Sequence, residues 1–184
     1  RLITRYDKRK IKFVMFPLYL YDSAYSNGGW DKCFKYCQEN NIIVCFHAGS
    51  LRYKNDIDCQ IFKTYTHKTS ILFFQGFELL NDIIIGGVAS KFPQLRFVIS
   101  ELGVSWVPYW LHRITTGLSI YRSMDNLEKI DVNEILQRQF FFTTQFDFPK
   151  INDPVFDAVS ENNILFGTDY PHVESTHGST KVLF

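Results

Sequence analysis

The sequence lacks an apolar segment that could cross a membrane, because no apolar run approaches the roughly 20 residues that a transmembrane helix needs. It also lacks an excess of one charge: the 184 residues include 20 Lys and Arg against 19 Asp and Glu, a formal net charge of +1. A dedicated nucleic-acid-binding domain would be strongly basic. We therefore expect neither a membrane nor a nucleic acid as a partner.

Cysteine does not occur in the pattern of a structural zinc module. The four cysteines, Cys33, Cys37, Cys45 and Cys59, do not form two CxxC pairs, which such a module requires. Cys33 and Cys37 lie four residues apart in a predicted helix, and Cys45 lies in an apolar run. Free thiols in a reducing compartment are the expectation, which favours a cytoplasmic protein.

Internal repeats, low-complexity tracts and linkers are also absent, so we predict a single domain over residues 1–184. Hydrophobic residues make up 46% of the chain and charged residues 21%, as in ordinary globular proteins. Aromatic residues are abundant at 17%. They favour strands and a large core.

Short apolar runs alternate with amphipathic segments along the whole chain. The apolar runs predict strands at residues 12–21, 42–46, 95–99, 140–144 and 164–166. The segments between them predict helices at residues 30–39, 70–91, 106–121, 132–138 and 154–161, with Gly86–Gly87 as a weak point in the second. This alternation indicates an α/β fold with a parallel sheet and crossover helices.

Three of the predicted strands lead into a reactive side chain with a glycine two residues away, namely His47, Glu101 and Asp169. Active sites of parallel α/β proteins lie at the carboxyl ends of the strands. Imidazole and carboxylate groups there can bind Zn²⁺, Mn²⁺ or Fe²⁺. We therefore predict that these side chains share one site.

Structural roles remain open for each of the three. His47 could be a hydrogen-bonded structural histidine. Glu101 could pair with Arg113 or cap the following helix, and Asp169 could be a helix N-cap.

Three segments carry a resemblance to a known family. They are NNIIVCFHAGS at 40–50, FPQLRFVISELGVSWVPYWLHRI at 92–114 and ILFGTDYPHVEST at 164–176. In order and spacing they resemble the signatures of the amidohydrolase-related proteins (amidohydrolase family 2), which are similar to aminocarboxymuconate semialdehyde decarboxylase. The resemblance implies a (β/α)₈ TIM-barrel-like fold with one divalent metal ion, most often Zn²⁺, with Mn²⁺ as the alternative.

The resemblance also implies roles for individual residues. His47 would be a metal ligand on the fifth barrel strand. Asp169 would be a metal ligand on the eighth strand and would take a proton from the bound water. Glu101 would be a catalytic residue at the end of the sixth strand. For His172 two roles stay open: it would lie behind the metal ligands without binding the ion, or it would only close the turn.

The sequence departs from the family pattern in two places. The decarboxylase branch commonly has a histidine near Glu101, where this chain has Ser100–Glu101; this favours the broader group of hydrolases. The family's H-x-H or E-x-H pair on the first strand has no counterpart among the five histidines. Counted back from Asp169, the first strand here is the fourth of the barrel, so we expect strands 4 to 8, the C-terminal part of an amidohydrolase-type barrel.

Three functions follow as expectations. The first is a metal-dependent hydrolase, in which metal-activated water attacks a small organic substrate that carries a carboxylate or an aromatic ring. The second is a metal-dependent non-oxidative decarboxylase, a lyase. The third, of another class, is a truncated barrel fragment without catalytic activity. A homo-oligomer is left open in each case.

Overall fold

A computed structural model of the protein describes residues 11–20, 23–48, 64–127, 130–144, 147, 149 and 153–171. The strands are β1 (Phe13–Pro17), β2 (Ile43–His47), β3 (Phe97–Ser100), β4 (Phe140–Thr144) and β5 (Ile164–Phe166). They form one sheet in the order β1-β2-β3-β4-β5, and every neighbouring pair is parallel. The predicted α/β fold with a parallel sheet is confirmed.

The crossover helices also follow the predicted order. They are α1 (Asp31–Glu39), α2 (Tyr65–Ile71), α3 (Phe74–Leu80), α4 (Val88–Lys91), α5 (Val107–Tyr121), α6 (Val132–Gln139) and α7 (Val155–Ala158). A π-helical segment, Asn81–Ile85, continues α3. None of the helices in the described part of the chain has the length and apolarity to span a membrane.

Two predicted elements differ in extent. Within the strand predicted at 12–21, Pro17 was expected to weaken the second half because proline has no N–H with which to continue the ladder, and the strand does end at Pro17. The single helix predicted at 70–91 is divided among α2, α3, the π segment and α4. The predicted weak point at Gly86–Gly87 is confirmed: Gly87 adopts a left-handed conformation with φ of 86°, which glycine adopts without steric cost.

One face of the sheet is packed against the helices and forms the core. Alternate residues along β2, β3 and β4, including Val44, Phe46, Phe97 and Phe142, are fully buried there. Aromatic rings join the layers: the ring centroids of Phe34 on α1 and Phe97 on β3 are 6.4 Å apart. The aromatic residues therefore fill the space between sheet and helices, as their abundance predicts.

The opposite face, which we call the open face, is partly exposed. Because paired residues of parallel strands point to the same side, the registers place these residues on it: Phe13, Met15, Ile43, Cys45, His47, Val98, Ser100, Phe141, Thr143 and Leu165. Phe13 is 61% exposed and Met15 67% exposed. The core therefore lies on one side of the sheet, and the other side presents an apolar surface.

Candidate metal centre

The candidate site lies at the carboxyl ends of the strands, which we call the rim. His47 is the last residue of β2 and is paired with Ser100, the last residue of β3. Glu101 follows directly, and Asp169 lies three residues beyond the end of β5. The three predicted residues therefore lie at the same edge of the sheet. His172 lies outside the described residues.

His47 and Glu101 are in direct contact. The Nε2 atom of His47 lies 2.7 Å from Oε1 of Glu101, and both side chains are partly exposed. The Nδ1 atom lies 2.6 Å from the carbonyl oxygen of Ala48. A carbonyl oxygen can only accept, so Nδ1 carries a hydrogen and Nε2 faces the carboxylate. The two side chains therefore form an acid–base pair that can share one proton.

Both candidate carboxylates sit on left-handed backbone. Glu101 has φ of 62° and Asp169 has φ of 53°. In the described ranges the other non-glycine residues with positive φ are Asn41 and Asn126, and asparagine tolerates this conformation. Aspartate tolerates it as well, whereas glutamate adopts it less readily, and strained backbone is concentrated at functional sites. The conformation thus separates Glu101 from ordinary strand ends.

A hydrogen bond to β4 fixes the backbone of Glu101. The Glu101 N–H donates to Oγ1 of Thr143 at 3.1 Å. Thr143 lies on the open face next to the rim. This bond holds the residue in its left-handed conformation, so the position of the carboxylate depends on a side chain from the neighbouring strand.

Asp147 anchors the loop that follows Glu101. Its carboxylate accepts from the N–H of Val104 at 2.9 Å and from that of Ser105 at 2.7 Å. A Cβ atom on Gly103 would lie 2.6 Å from the Asp147 carboxylate, so this close approach requires glycine. Asp147 is not among the site residues predicted from the sequence. Its position a few residues after the predicted strand 140–144 is the signal that could have indicated it.

A cleft of about 380 Å³ opens beside Glu101. This volume lies in the lower part of the range for small-molecule sites. Hydroxyl-bearing residues line one part, namely Thr66, Thr69 and Ser70, and apolar residues line the other, namely Leu72, Phe73 and Leu102. The cleft therefore suits a small molecule with an apolar body and polar substituents, held next to the Glu101 carboxylate.

Cys45 lies on the open face two residues before His47. Burial and the nearby Glu101 carboxylate both raise the pKa of its thiol. A raised pKa keeps the sulfur protonated at neutral pH, and the protonated form is a weak nucleophile. Cys45 is therefore part of the surroundings of the site rather than its nucleophile.

Comparison with known protein families shows which family this chain belongs to. The amidohydrolase family model matches residues 10–183. This chain belongs to the amidohydrolase family. The resemblance found in the sequence is thereby confirmed.

Individual relatives of this amidohydrolase extend the comparison. It is 24% identical over 91 residues to the 6-methylsalicylic acid decarboxylase of Penicillium expansum, which covers 50% of this chain and 28% of the relative. Its structure resembles that of an amidohydrolase from Mycobacterium avium subsp. paratuberculosis K-10, with a TM-score of 0.73, 19% identity and coverage of 91% of this chain and 44% of the other.

A third relative is the 5-carboxyvanillate decarboxylase of Novosphingobium aromaticivorans, solved with manganese and 4-hydroxy-3-methoxy-5-nitrobenzoic acid. The TM-score is 0.65 at 16% identity, and the match covers 86% of this chain and 46% of the relative. The amidohydrolase chain thus spans less than half the length of these relatives. Its fold is part of a TIM-barrel-like amidohydrolase fold.

The imidazole nitrogen and the carboxylate oxygen at the rim are atoms that can bind a divalent metal ion, but they form only part of a metal site. Histidine ligands commonly donate their second N–H to a carbonyl or carboxylate, as Nδ1 of His47 does to Ala48. An ion about 2.1 Å from both Nε2 of His47 and Oε1 of Glu101 would separate them by about 3.0 to 3.4 Å. That is slightly more than the 2.7 Å found.

A third donor close to this pair is not found within the described part of the amidohydrolase. No group of three or more His, Cys, Asp or Glu residues there could hold a metal ion, whereas a catalytic zinc site typically has three protein ligands. Asp169 lies at the same rim, but β3 and β4 separate β5 from β2. Metal ligation by His47 and Asp169 therefore stays a prediction.

Proposed function

We propose that the protein is a metal-dependent carboxy-lyase that removes the carboxylate of a small aromatic acid without an oxidant. The observation that carries this proposal is the similarity to the 6-methylsalicylic acid decarboxylase, whose alignment includes half of this chain. The 5-carboxyvanillate decarboxylase structure supports the same class of reaction. Decarboxylation, the second expectation from the sequence, is therefore placed ahead of hydrolysis, which is supported at the level of the family alone.

His47 and Asp169 are the residues that would hold the metal ion. Zn²⁺ is the ion implied by the sequence resemblance, and Mn²⁺ is the ion bound by the Novosphingobium relative. When bound, such an ion supplies positive charge that neutralises the substrate's oxygen atoms and orients them. The Ala48 carbonyl fixes the orientation of the His47 ring, so the ring presents Nε2 towards the rim.

The remaining side chains have separate tasks in this scheme. Breaking the bond between the ring carbon and the carboxylate leaves an electron pair on that carbon, which must then take a proton. Asp169 would deliver this proton to the carbon. The Nε2 atom of His47, which contacts Glu101 in this structure, is the nitrogen that would bind the ion, so an ion would replace this contact. The apolar wall of the cleft, including Leu72 and Phe73, would contact the aromatic ring.

The test is an assay of the complete protein that contains this chain, loaded with Mn²⁺ or Zn²⁺. Aromatic acids such as 6-methylsalicylate and 5-carboxyvanillate are supplied, and release of CO₂ is measured. We expect turnover of an aromatic acid, and a loss of roughly 100-fold or more in kcat for His47→Ala and Asp169→Asn. His112→Gln, an exposed histidine on α5, is the matched control and should retain wild-type turnover. Activity that survives exhaustive chelation, or a fully active His47→Ala variant, would contradict the proposal.

Hydrolysis is the second candidate, and Glu101 favours it. The end of β3 carries Glu101 where the sequence resemblance associates a histidine with decarboxylases. A hydrolase incorporates one oxygen atom from water into its product, whereas a decarboxylase does not. Turnover in ¹⁸O-labelled water, followed by mass spectrometry of the product, separates the two reactions. Absence of both activities together with failure to retain a metal ion would favour the non-catalytic fragment.

A further inference from the structure

Two acceptors from one segment of the chain hold the loop that begins at Glu101. The first is Thr143 on β4, whose Oγ1 atom accepts from the Glu101 N–H at 3.1 Å. The second is Asp147, which follows β4 and whose Oδ2 atom accepts from the N–H groups of Val104 at 2.9 Å and Ser105 at 2.7 Å. The loop is therefore bound at both of its ends to the same neighbouring segment.

The backbone of this loop depends on such contacts for its shape. Glu101 and Gly103 are both left-handed, with φ of 62° and 66°, and this conformation is unfavourable for glutamate. A strained residue keeps its conformation only where the surrounding structure holds it. A Cβ atom on Gly103 would lie 2.6 Å from Oδ1 of Asp147, so the carboxylate is packed directly against the loop backbone.

Two residues of the same loop line the cleft beside the candidate metal centre, namely Glu101 and the buried Leu102. A shift of the loop would therefore move a carboxylate and part of the apolar wall together. A misplacement of about 1 Å can lower the rate of an enzymatic reaction about 100-fold. Asp147 is not among the described residues that line the cleft, so its effect on a substrate there would be transmitted by the loop.

We propose that Asp147 is a positioning residue for the reaction at this cleft and that it acts through Glu101. By binding the N–H groups of Val104 and Ser105, it keeps the loop in the shape that presents the Glu101 carboxylate and Leu102 to the substrate. This role rests on the proposed function for the identity of the substrate, whereas the control of the Glu101 backbone by Asp147 does not depend on it.

The first measurement is amide hydrogen exchange, followed by NMR, in the complete protein that contains this chain. Asp147→Ala should speed exchange at Val104 and Ser105 about tenfold or more, because hydrogen bonds to a charged group are lost. The Glu101 N–H should also exchange several times faster, although its own acceptor, Thr143, is unchanged. A role confined to anchoring the start of α5 would leave exchange at Glu101 unaltered, and that result would overturn the proposal.

The second measurement is the steady-state rate of CO₂ release by the metal-loaded complete protein. Asp147→Ala should lower kcat/KM about 10- to 100-fold. Asp147→Asn keeps an oxygen that can accept from both N–H groups, as Oδ2 does, and should restore most of the loss. In a Glu101→Gln background, Asp147→Ala should have little further effect on kcat/KM, because the effects of residues that act through one another are not additive.

Asp82 is the matched control for the loss of a loop-binding carboxylate. It also accepts from two consecutive backbone N–H groups, those of Tyr25 at 2.7 Å and Ser26 at 3.1 Å, but neither Asp82 nor these two residues line the cleft beside Glu101. Asp82→Ala should lower the midpoint of urea unfolding about as much as Asp147→Ala does and should leave kcat/KM at the wild-type value. Equal losses of kcat/KM for the two alanine variants, or additive effects of Asp147→Ala and Glu101→Gln, would overturn the proposal.

Two further outcomes have a defined reading. If Asp147→Ala does not fold by circular dichroism, Asp147→Ser, which keeps a small polar side chain that is too short to replace the carboxylate, takes its place in both measurements. If the wild-type protein releases CO₂ from none of the aromatic acids, the proposed function fails, and the exchange rate of the Glu101 N–H still supports or overturns the control of this backbone by Asp147.

Discussion

Glu101 has a left-handed backbone with φ of 62°, and this conformation costs a residue with a Cβ atom roughly 1–2 kcal/mol. Glu101→Ala and Glu101→Gly both remove the carboxylate and its contact with His47, but the glycine variant also relieves the backbone. We expect Glu101→Gly to have the higher free energy of unfolding, by about 1 kcal/mol. Urea unfolding of the two variants measures the difference.

An ordinary helix position supplies the control for this comparison. Glu134 lies in α6, is exposed and pairs with Arg138. There the order should reverse, with the alanine variant more stable by about 1 kcal/mol, because glycine is a poor helix former. Should Glu101→Ala also be the more stable of its pair, the backbone at Glu101 would not be left-handed in solution.

Tyr25 couples the stability of the fold to alkaline pH. It is 1% exposed, and its hydroxyl donates to the Pro17 carbonyl oxygen at 2.7 Å. Burial, and secondarily the charge of Asp82, raise its pKa well above the ordinary 10.0. Above pH 10 the unfolded chain loses a proton that the folded chain keeps, so the folded state binds more protons and stability falls as pH rises.

Tyr25→Phe removes this titrating hydroxyl, so the free energy of unfolding should fall less steeply above pH 10. Near pH 7 the variant should be less stable by about 0.5–1.5 kcal/mol, because one hydrogen bond is lost. Thermal unfolding at several pH values measures both effects. Tyr121→Phe, at a half-exposed position in α5, is the control. Equal alkaline slopes for Tyr25→Phe and the wild type would contradict the assignment.

At the scale of helices and strands, hydrophobic periodicity and turn residues predict those features that depend on the local sequence alone. The five strands and the break at Gly86–Gly87 were predictable, since apolar runs and paired glycines are local signals. The π segment Asn81–Ile85 was not, because its sequence fits an ordinary helix equally well. Its position is fixed by tertiary bonds such as that from Trp110 Nε1 to Asn81 Oδ1.

The candidate site was predictable to a similar extent. A polar residue at the end of an apolar strand is a local signal, so the rim positions of His47 and Glu101 could be predicted. The contact of Asp147 with the loop at Val104 and Ser105 could not, because it joins segments more than 40 residues apart and depends on how their strands are paired.

Helix α3 packs so closely against Trp106 that one of its positions requires glycine. A Cβ atom on Gly76 would lie 2.7 Å from Cζ2 of Trp106 and 3.0 Å from Cδ1 of Leu102. Gly76→Ala should therefore destabilise the protein by roughly 1–3 kcal/mol, although alanine is the better helix former. Guanidinium unfolding of the variant measures this cost.

Gly117 is the matched control for that substitution. It lies within α5, and a Cβ atom there would meet nothing within 4 Å. Gly117→Ala should stabilise the protein by up to about 1 kcal/mol, because only helix propensity changes. Similar changes for the two glycine variants would mean that α3 does not approach Trp106 as closely as described.

At the scale of the whole molecule, the open face is the unusual feature. Among the residues that the structure describes, helices cover the parallel sheet on one side, whereas sheets of this kind are normally buried on both. In TIM barrels the corresponding face is filled by side chains from the other strands. This chain matches less than half the length of each of the two similar structures.

The open face predicts how the 184-residue chain behaves by itself. Met15 is 67% exposed on an edge strand of the described sheet, and exposed apolar edge strands promote association. Met15→Lys should reduce self-association in sedimentation velocity while changing the free energy of unfolding by less than about 1 kcal/mol.

The adjacent Phe16 points to the opposite face, is 8% exposed and contacts Trp30 at a ring distance of 5.0 Å. Phe16→Lys would place an unpaired charge in the core and should unfold the chain. If Met15→Lys unfolds the chain and Phe16→Lys does not, the two faces of β1 have been assigned in the wrong order.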